Sequence, residues 1–190
     1  MRKAAWPSDA TSRGSSVDKF RRTAWEWTKT LGLALLISMA VRTAIVEGYW
    51  IPSGSMEPTL AVGDRILASK LSYRFAEPSR GDIVIFAPPP NVPLSGPHVV
   101  KRVVAVEGDI VEVRQGRLYV NGRPQEERYL KELPRYDLPS VRVPSGMLFV
   151  LGDNRNNSFD SHAWGFLPRE NVEAKAFARY WPVGRVGKVE

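Results

Sequence analysis

Hydrophobic positions divide the chain of 190 residues into three parts. Residues 1–28 are mostly polar, which predicts a disordered tail. Residues 29–46 contain a long apolar run that is interrupted by Arg42 near its end. Read through Arg42, the run has about 17 residues, the lower limit for a helix that crosses a bilayer, and the long arginine stem can reach the interface. We therefore expect a single transmembrane anchor at residues 29–46, with an interfacial helix as the alternative.

Beyond residue 46 the apolar runs are short, rich in β-branched residues and separated by turn residues. Leu118–Val120 is followed by Asn121-Gly122, a strong signal for a tight hairpin turn. Glu126–Pro144 is polar and contains several prolines, which predicts an exposed loop or a small hairpin. The predicted strands lie at residues 64–70, 82–86, 99–106, 110–113, 118–120 and 148–151. The expected fold class is mainly β, with residues 47–190 forming one domain built on an antiparallel β-sheet.

Charge and residue usage narrow the classes of function. The chain has 27 basic and 20 acidic side chains, a net charge of +7, and about +4 of this lies in the first 29 residues. A basic excess before an apolar run indicates membrane topology rather than nucleic-acid binding, and it places the N-terminus in the cytoplasm and the domain outside. Cysteine is absent and histidine occurs twice, so disulfides, a thiolate nucleophile and a multi-histidine metal site are not expected.

The segment Tyr49–Leu60 has the features of a rigid turn that presents hydroxyl groups. Ser53 and Ser55 flank Gly54, and a proline on either side restricts the backbone. A serine hydroxyl becomes a useful nucleophile only when a base lies next to it. Taken alone, Pro-Ser-Gly-Ser is more typical of an ordinary surface turn.

A lysine within an apolar strand is the second candidate feature. Lys101 and Arg102 lie inside Val99–Val106, and because neighbouring side chains of a strand point to opposite faces, one of the two must face the interior. A buried lysine has a lowered pKa and can act as a neutral general base. The alternative is a lysine at a strand edge with its ammonium in water. A third stretch, residues 151–168, is dense in Asp, Asn and Ser, which is typical of a long structured loop.

In their order along the chain, these features resemble those of the bacterial type I signal peptidases, membrane-anchored serine proteases that remove signal peptides. The resemblance spans about residues 29–168. The shared motifs are Pro-Ser-Gly-Ser-Met-x-Pro-Thr-Leu at 52–60, Arg-Gly-Asp-Ile-Val at 80–84, Lys-Arg-Val at 101–103 and Gly-Asp-Asn-Arg-x-Asn-Ser-x-Asp-Ser at 152–161. Directly after the last of these motifs the chain has His162 where many members have Arg, a variant similar to that of photosynthetic lineages.

The resemblance implies catalytic and substrate-binding roles for the matching residues. Ser55 would be the nucleophile and Lys101 its general base, which forms a Ser–Lys dyad without histidine. Ser53 would place its hydroxyl in the oxyanion hole beside the backbone N–H of Ser55. Cleavage would follow small residues at positions −1 and −3 of the substrate. The shallow apolar pockets for these residues would be lined by Tyr49, Ile51, Pro52, Met56, Leu60, Ile85 and Val100.

The resemblance also implies orienting residues and a cellular setting. Ser158 would hydrogen-bond Lys101, and Asp160 would hold Arg102 and the surrounding loop in place. Neither a cofactor nor a metal is implied. The expected partners are preproteins that carry signal peptides, together with membrane lipid, and not nucleic acid. We expect a monomer with a single-pass anchor in a plasma membrane or thylakoid membrane.

Two other functions are compatible with the residues alone. In the first, Ser55 and Asp160 would form a catalytic triad with His98 or His162, as in a histidine-dependent serine hydrolase. Retention of activity after substitution of both histidines would eliminate it. The second is a membrane-tethered β domain that binds a protein or a glycan without catalysis, for which Ser55→Ala would leave function unchanged.

Overall fold

The chain divides into two compact units, with the boundary after Thr43. The computed structural model describes residues 13–90, 92–94 and 96–189, without the side chains of residues 13–19 and 40–44. The described part of the first unit is helical, and the second unit is the β-rich domain.

A single helix, α1 (Arg13–Ile45), contains the predicted anchor except for Val46, which begins the first strand. Residues 13–28, predicted as disordered, are helical, whereas the predicted disorder of residues 1–12 lies outside the described residues. The described leucine, isoleucine and methionine side chains between residues 31 and 39 are exposed. The structure does not confirm the transmembrane anchor. Within the part of the chain that is described, no helix is both long enough and apolar enough to cross a membrane.

The second unit is built from antiparallel strands in two sheets. The larger sheet has the order β1-β2-β11-β3-β4-β9-β10, with β12 paired to β11, and the smaller sheet has the order β7-β6-β5-β8. Two short helices, α2 (Ser72–Phe75) and α3 (Ser161–Trp164), lie in the connections. The strands are β1 (Val46–Trp50), β2 (Arg65–Ser69), β3 (Ile83–Phe86), β4 (Val99–Val106), β5 (Ile110–Arg114), β6 (Arg117–Val120), β7 (Arg123–Pro124), β8 (Leu138–Arg142), β9 (Met147–Leu151), β10 (Leu167–Pro168), β11 (Val172–Trp181) and β12 (Gly187–Lys188).

The cores lie on the faces of these sheets, and most of β4 is buried. One core packs apolar side chains of β1, β2, β3 and β11 with the loop that follows β1, and a second fills the space beside the smaller sheet. In β4, Lys101 lies opposite Val84 of β3, and Arg102 lies opposite Leu151 of β9. Both faces of β4 are covered, so Lys101 and Arg102 are both buried although they point in opposite directions.

The predicted fold class is confirmed: the domain is mainly β and its sheets are antiparallel. The six predicted strands match β2, β3, β4, β5, β6 and β9 within two residues at each end. Asn121 and Gly122 have φ of 54° and 73°, as a tight turn between β6 and β7 requires. Glu126–Pro144, predicted as a loop or small hairpin, contains one strand, β8, which pairs with β5.

Candidate active site

The loop between β1 and β2 carries Ser55 and is fixed to the core. Two backbone hydrogen bonds of 2.9 Å join Ile51, at the start of the loop, to the turn that precedes β2. Ser55 lies in a single 3₁₀ turn, and the backbone N–H of Leu60 donates to the carbonyl of Met56 at 2.9 Å. The side chains of Met56 and Leu60 are buried, so the core holds the loop while Ser55 stays half-buried at the surface.

The loop that follows β9 packs directly on the serine loop. Asn154 donates a hydrogen bond from its backbone N–H to the carbonyl of Ser55 and another from its side-chain amide to the carbonyl of Gly54, each at 3.0 Å. Gly152 lies at the closest approach of the two loops. A Cβ atom at this position would overlap both Ser158 Oγ and the Ser55 carbonyl oxygen, so only glycine fits.

Strand β4 brings Lys101 to Ser55. The lysine is 3% exposed, and its Nζ donates a hydrogen bond of 2.6 Å to Ser55 Oγ. Burial lowers the pKa of Lys101 to about 8, while the charges of Asp160 and Asp153 act in the opposite direction. The site therefore holds a hydroxyl in contact with an amine that can lose its proton near neutral pH.

Ser53 is exposed next to this pair. Its backbone is extended, with φ −135° and ψ 156°, and its Oγ lies 3.4 Å from Ser55 Oγ. The two hydroxyls therefore lie side by side at the entrance of the site. The assignment of Ser53 to an oxyanion hole stays a prediction.

Arg102 occupies the face of β4 opposite to Lys101 and is also 3% exposed. Its guanidinium donates two hydrogen bonds of 2.8 Å to the carboxylate of Asp153, which also accepts one of 2.5 Å from Thr59 Oγ1. The resemblance assigned this role to Asp160, and the structure corrects it. Asp153 lies two residues beyond the end of β9, the strand that pairs with β4, and is therefore the carboxylate next to Arg102.

Asp160 instead organises the end of the loop. Its carboxylate accepts hydrogen bonds from the backbone N–H of Gly152 at 2.8 Å and from the backbone N–H of His162 at 3.2 Å. The Nδ1 atom of His162 lies 2.7 Å from the same carboxylate. The His162 ring stacks on Tyr136, with 4.2 Å between the ring centroids. Asp160 therefore caps α3 and fixes Gly152, which contacts the serine loop.

Ser158 does not form the predicted hydrogen bond to Lys101. Its Oγ is buried next to Gly152 and has no hydrogen-bond partner among the described residues. The Nζ of Lys101 is directed at Ser55. A buried hydroxyl without a hydrogen bond is unfavourable by about 1–3 kcal/mol.

Glu126–Pro144 was predicted as an exposed loop or small hairpin, but part of it packs against the loop after β9. Arg155 is fully buried and donates two hydrogen bonds, of 2.7 and 2.9 Å, to the carboxylate of Glu127. The Tyr129 ring lies 3.9 Å from the guanidinium carbon of Arg102. Glu127 and Tyr129 were not predicted from the sequence because the polar composition of the segment gives no sign of which side chains are buried.

A groove of about 840 Å³ runs from Ser55 and Lys101 along β1 and the start of β4. Five of the seven predicted pocket residues line it: Tyr49, Ile51, Pro52, Met56 and Val100. The structure corrects the other two, because Leu60 and Ile85 are 0% exposed in the core behind the groove. Several other lining residues were not predicted from the sequence, and all but Trp50 come from separate segments that only the fold brings together: Trp50, Leu94, Pro97, His98, Asn157 and Phe159.

Neither histidine takes part in a triad with Ser55. His98 Nδ1 lies 2.7 Å from the Glu173 carboxylate, and His162 is bound to Asp160. Among the contacts of the described residues, the hydroxyl of Ser55 meets the lysine and the neighbouring serine, and no imidazole. The same residues contain no group of three or more His, Cys, Asp or Glu that could hold a metal ion.

Residues 24–181 of the chain match the protein family described as "Signal peptidase, peptidase S26". A probable signal peptidase I-2 from Synechocystis sp. is 46% identical over 164 residues, which cover 85% of this chain and 75% of that protein. The signal peptidase I of Leptolyngbya laminosa is 44% identical over 168 residues, covering 86% of this chain and 83% of the relative.

Two further likenesses are more partial. Thylakoidal processing peptidase 1, chloroplastic, from Arabidopsis thaliana is 46% identical over 178 residues, covering 90% of this chain and 52% of the plant protein. A crystal structure of a signal peptidase I from Enterococcus faecalis V583 is 38% identical, with a TM-score of 0.46, and covers 53% of this chain and 97% of that one.

Proposed function

Because the chain belongs to the signal peptidase family, peptidase S26, and is an endopeptidase of the signal peptidase I type, we propose that Ser55 and Lys101 carry its catalysis. The observation that supports this assignment is the hydrogen bond of 2.6 Å between a buried lysine amine and a serine hydroxyl at the end of a substrate-sized groove. Burial lowers the pKa of Lys101 to about 8, so part of the enzyme holds the amine in its neutral form at neutral pH.

In the proposed reaction, neutral Lys101 accepts the proton of Ser55 as Oγ attacks the carbonyl carbon that precedes the scissile bond. The negative charge on the carbonyl oxygen is stabilised by the backbone N–H of Ser55 and the hydroxyl of Ser53. The protonated lysine then gives its proton to the leaving amine, which leaves an ester on Ser55. Water, deprotonated by the same lysine, hydrolyses this ester and releases the signal peptide.

The groove supports binding of the substrate as an extended strand. β1 is the edge strand of its sheet, and β4 pairs with β9 only from Arg102 onwards, so the segment before Arg102 has an edge that β9 does not cover. A peptide between these two edges would form main-chain hydrogen bonds and direct alternate side chains into the groove. The apolar lining, which includes the buried side chain of Met56 next to Ser55 in the chain, favours small residues at −1 and −3. Efficient cleavage after Phe or Lys would contradict this specificity.

We also propose that helix α1 attaches the monomeric enzyme to a membrane, with the N-terminus in the cytoplasm and the catalytic domain outside. The supporting observations are the exposed apolar side chains of the helix and the basic residues that precede them. Attachment would keep the site near the point where a signal peptide emerges, which raises the effective concentration of substrate. In a flotation assay, wild-type protein should rise with liposomes, and the double variant Leu35→Lys, Leu36→Lys should remain at the bottom of the gradient.

Incubation of the detergent-solubilised protein with a preprotein tests the catalytic assignment. We expect one new N-terminus that follows an Ala-x-Ala type sequence, and no product from Ser55→Ala or Lys101→Met protein. Thermal unfolding of both variants controls for loss of fold. Cleavage by folded Ser55→Ala protein at the wild-type rate would refute the assignment.

A further inference from the structure

The end of the groove away from Ser55 carries a linked set of charged and polar side chains. This distal cluster consists of Glu47, Tyr49, Lys70, His98 and Glu173. The Glu47 carboxylate accepts a hydrogen bond of 2.8 Å from the Tyr49 hydroxyl and lies 2.5 Å from Lys70 Nζ. His98 lies edge-on to the Tyr49 ring, with 5.4 Å between the centroids, and 2.7 Å from the Glu173 carboxylate. Glu47, Tyr49 and His98 line the same groove as the catalytic pair.

The strand directions place the distal cluster at a defined distance from the scissile bond. Along the order β1-β2-β11-β3-β4 every neighbouring pair is antiparallel, so β1 and β4 run in the same direction. On both sides of the groove the chain therefore runs from the distal cluster to the catalytic residues. His98 precedes Lys101 by three residues, which is roughly 10 Å in an extended strand. A substrate that runs in the same direction as these two strands, with residue −1 at Lys101, places its residues −4 and −5 at the distal cluster.

The carboxylates of the distal cluster outnumber its lysine. Glu47 and Glu173 contribute two carboxylates and Lys70 contributes one ammonium, while the His98 imidazole lies against the Glu173 carboxylate. The hydrogen bonds from Lys70 and Tyr49 lower the pKa of Glu47, which keeps its carboxylate ionised. Each of the four titratable partners in the two ion pairs is between a third and a half exposed, so a substrate side chain can reach them.

We propose that the distal cluster is a substrate subsite for the side chain four or five residues before the cut, and that it favours a lysine or arginine over a carboxylate at that position. The inference rests on the proposed function, since it needs the substrate to lie in the groove with its cleavage site at Ser55. It differs from the −1 and −3 specificity in its physical basis, because charge rather than side-chain size makes the selection.

Two peptide substrates test the subsite. They share the same small residues at −1 and −3 and differ only at −4 and −5, where one carries lysines and the other glutamates. The measured quantity is the ratio of their kcat/KM values, which partial loss of folded enzyme does not change. For wild-type protein we expect a ratio of about two to five in favour of lysine, as for other exposed charge pairs, and a smaller ratio at high salt.

Variants with opposite charge changes separate recognition from a structural role. Glu47→Gln removes a negative charge and should lower the ratio, whereas Lys70→Gln removes a positive charge and should raise it. Glu77→Gln provides a matched control, because Glu77 is an exposed acid in an ion pair with Arg169 and lies outside the groove lining. The control should keep the wild-type ratio.

A wild-type ratio near one would overturn the subsite, and so would shifts of Glu47→Gln and Lys70→Gln in the same direction. A third peptide with glutamines at −4 and −5 separates this failure from failure of the proposed function. If wild-type enzyme cuts that peptide at Ser55 without preference between the charged peptides, only the subsite is wrong. If none of the peptides is cut, or Ser55→Ala protein cuts them equally well, both proposals are wrong.

Discussion

Lys101 must lose its proton before it can activate Ser55, so the proposed mechanism predicts a basic limb in the pH profile of cleavage. Burial lowers the pKa of Lys101 to about 8. With that value, roughly a tenth of the lysine is neutral at pH 7 and roughly nine tenths at pH 9. Because kcat/KM reports the titration of the free enzyme, it should rise about tenfold between these two pH values, with a midpoint close to that pKa. A histidine base would instead give a midpoint near 6.5.

The assay is the initial rate of peptide cleavage at low substrate concentration between about pH 6 and pH 10. Lys101→Arg should be almost inactive, because a guanidinium does not lose its proton in a protein. Lys101→His, if it folds, should move the limb towards lower pH. His98→Gln and His162→Gln should keep the midpoint of the limb. A limb that disappears with either histidine, or Lys101→Arg protein that works at a near-normal rate, would refute the assignment of Lys101 as the base.

Three further variants probe the surroundings of the pair. Lys101→Met should be no less stable than wild type at pH 7 by urea unfolding, since burial of the ammonium disfavours the wild-type fold by on the order of 3 kcal/mol. Between pH 8 and pH 10.5, Lys101 binds fewer protons in the folded protein than in the unfolded chain, so the free energy of unfolding of wild type rises over this window. The difference in free energy of unfolding between Lys101→Met and wild type should therefore narrow. Asp153→Asn should lower the free energy of unfolding by about 3–5 kcal/mol in the same measurement, because it removes the carboxylate charge that faces the buried guanidinium of Arg102. A decrease below about 1 kcal/mol would contradict this. Gly152→Ala should reduce kcat about 100-fold by displacing Ser55. An unchanged kcat would show that the loop after β9 and the serine loop can move apart without loss of catalysis.

Much of the fold could be predicted from local patterns, and the exceptions have physical causes. β4 consists largely of valine, and its bounds are those predicted. β11, the longest of the described strands, was not predicted because its buried positions are alanines, which have little strand preference. Alanine fits there because the strand lies between β2 and β3 and packs against larger side chains of the core. β1 was not predicted because its apolar start continues the run assigned to the anchor.

The candidate site also contains residues that the local sequence indicates and others that only the fold brings together. Ser55 and Lys101 were candidates from their local settings, a proline-flanked turn and an apolar strand, but each setting left an ordinary alternative open. Their catalytic roles were expected only from the resemblance of the ordered motifs to those of the signal peptidases. The partner of Arg102 could not be chosen from the sequence, since Asp153 and Asp160 lie in one loop and only the pairing of β9 with β4 decides between them. The groove residues Phe159 and Asn157 required the same information, because they reach the groove only when that loop folds against the serine loop.

The strength of the proposed base depends on how the neighbouring carboxylates are engaged. The buried basic side chains Lys101 and Arg102 are adjacent on β4, and they have different partners. Arg102 has the carboxylate of Asp153 in direct contact, whereas Lys101 meets the hydroxyl of Ser55 and, among the described residues, forms no salt bridge. Asp153 and Asp160 both raise the pKa of Lys101 through their charge, and either one in direct contact would stabilise the ammonium further. Because Asp153 is held by an arginine and Asp160 by backbone N–H groups and an imidazole, both carboxylates stay out of contact with the lysine, and desolvation remains the largest influence on its pKa. The loop after β9 therefore does more than support Ser55: it carries both carboxylates, and because Arg102, backbone N–H groups and His162 hold them, the lysine remains able to give up its proton.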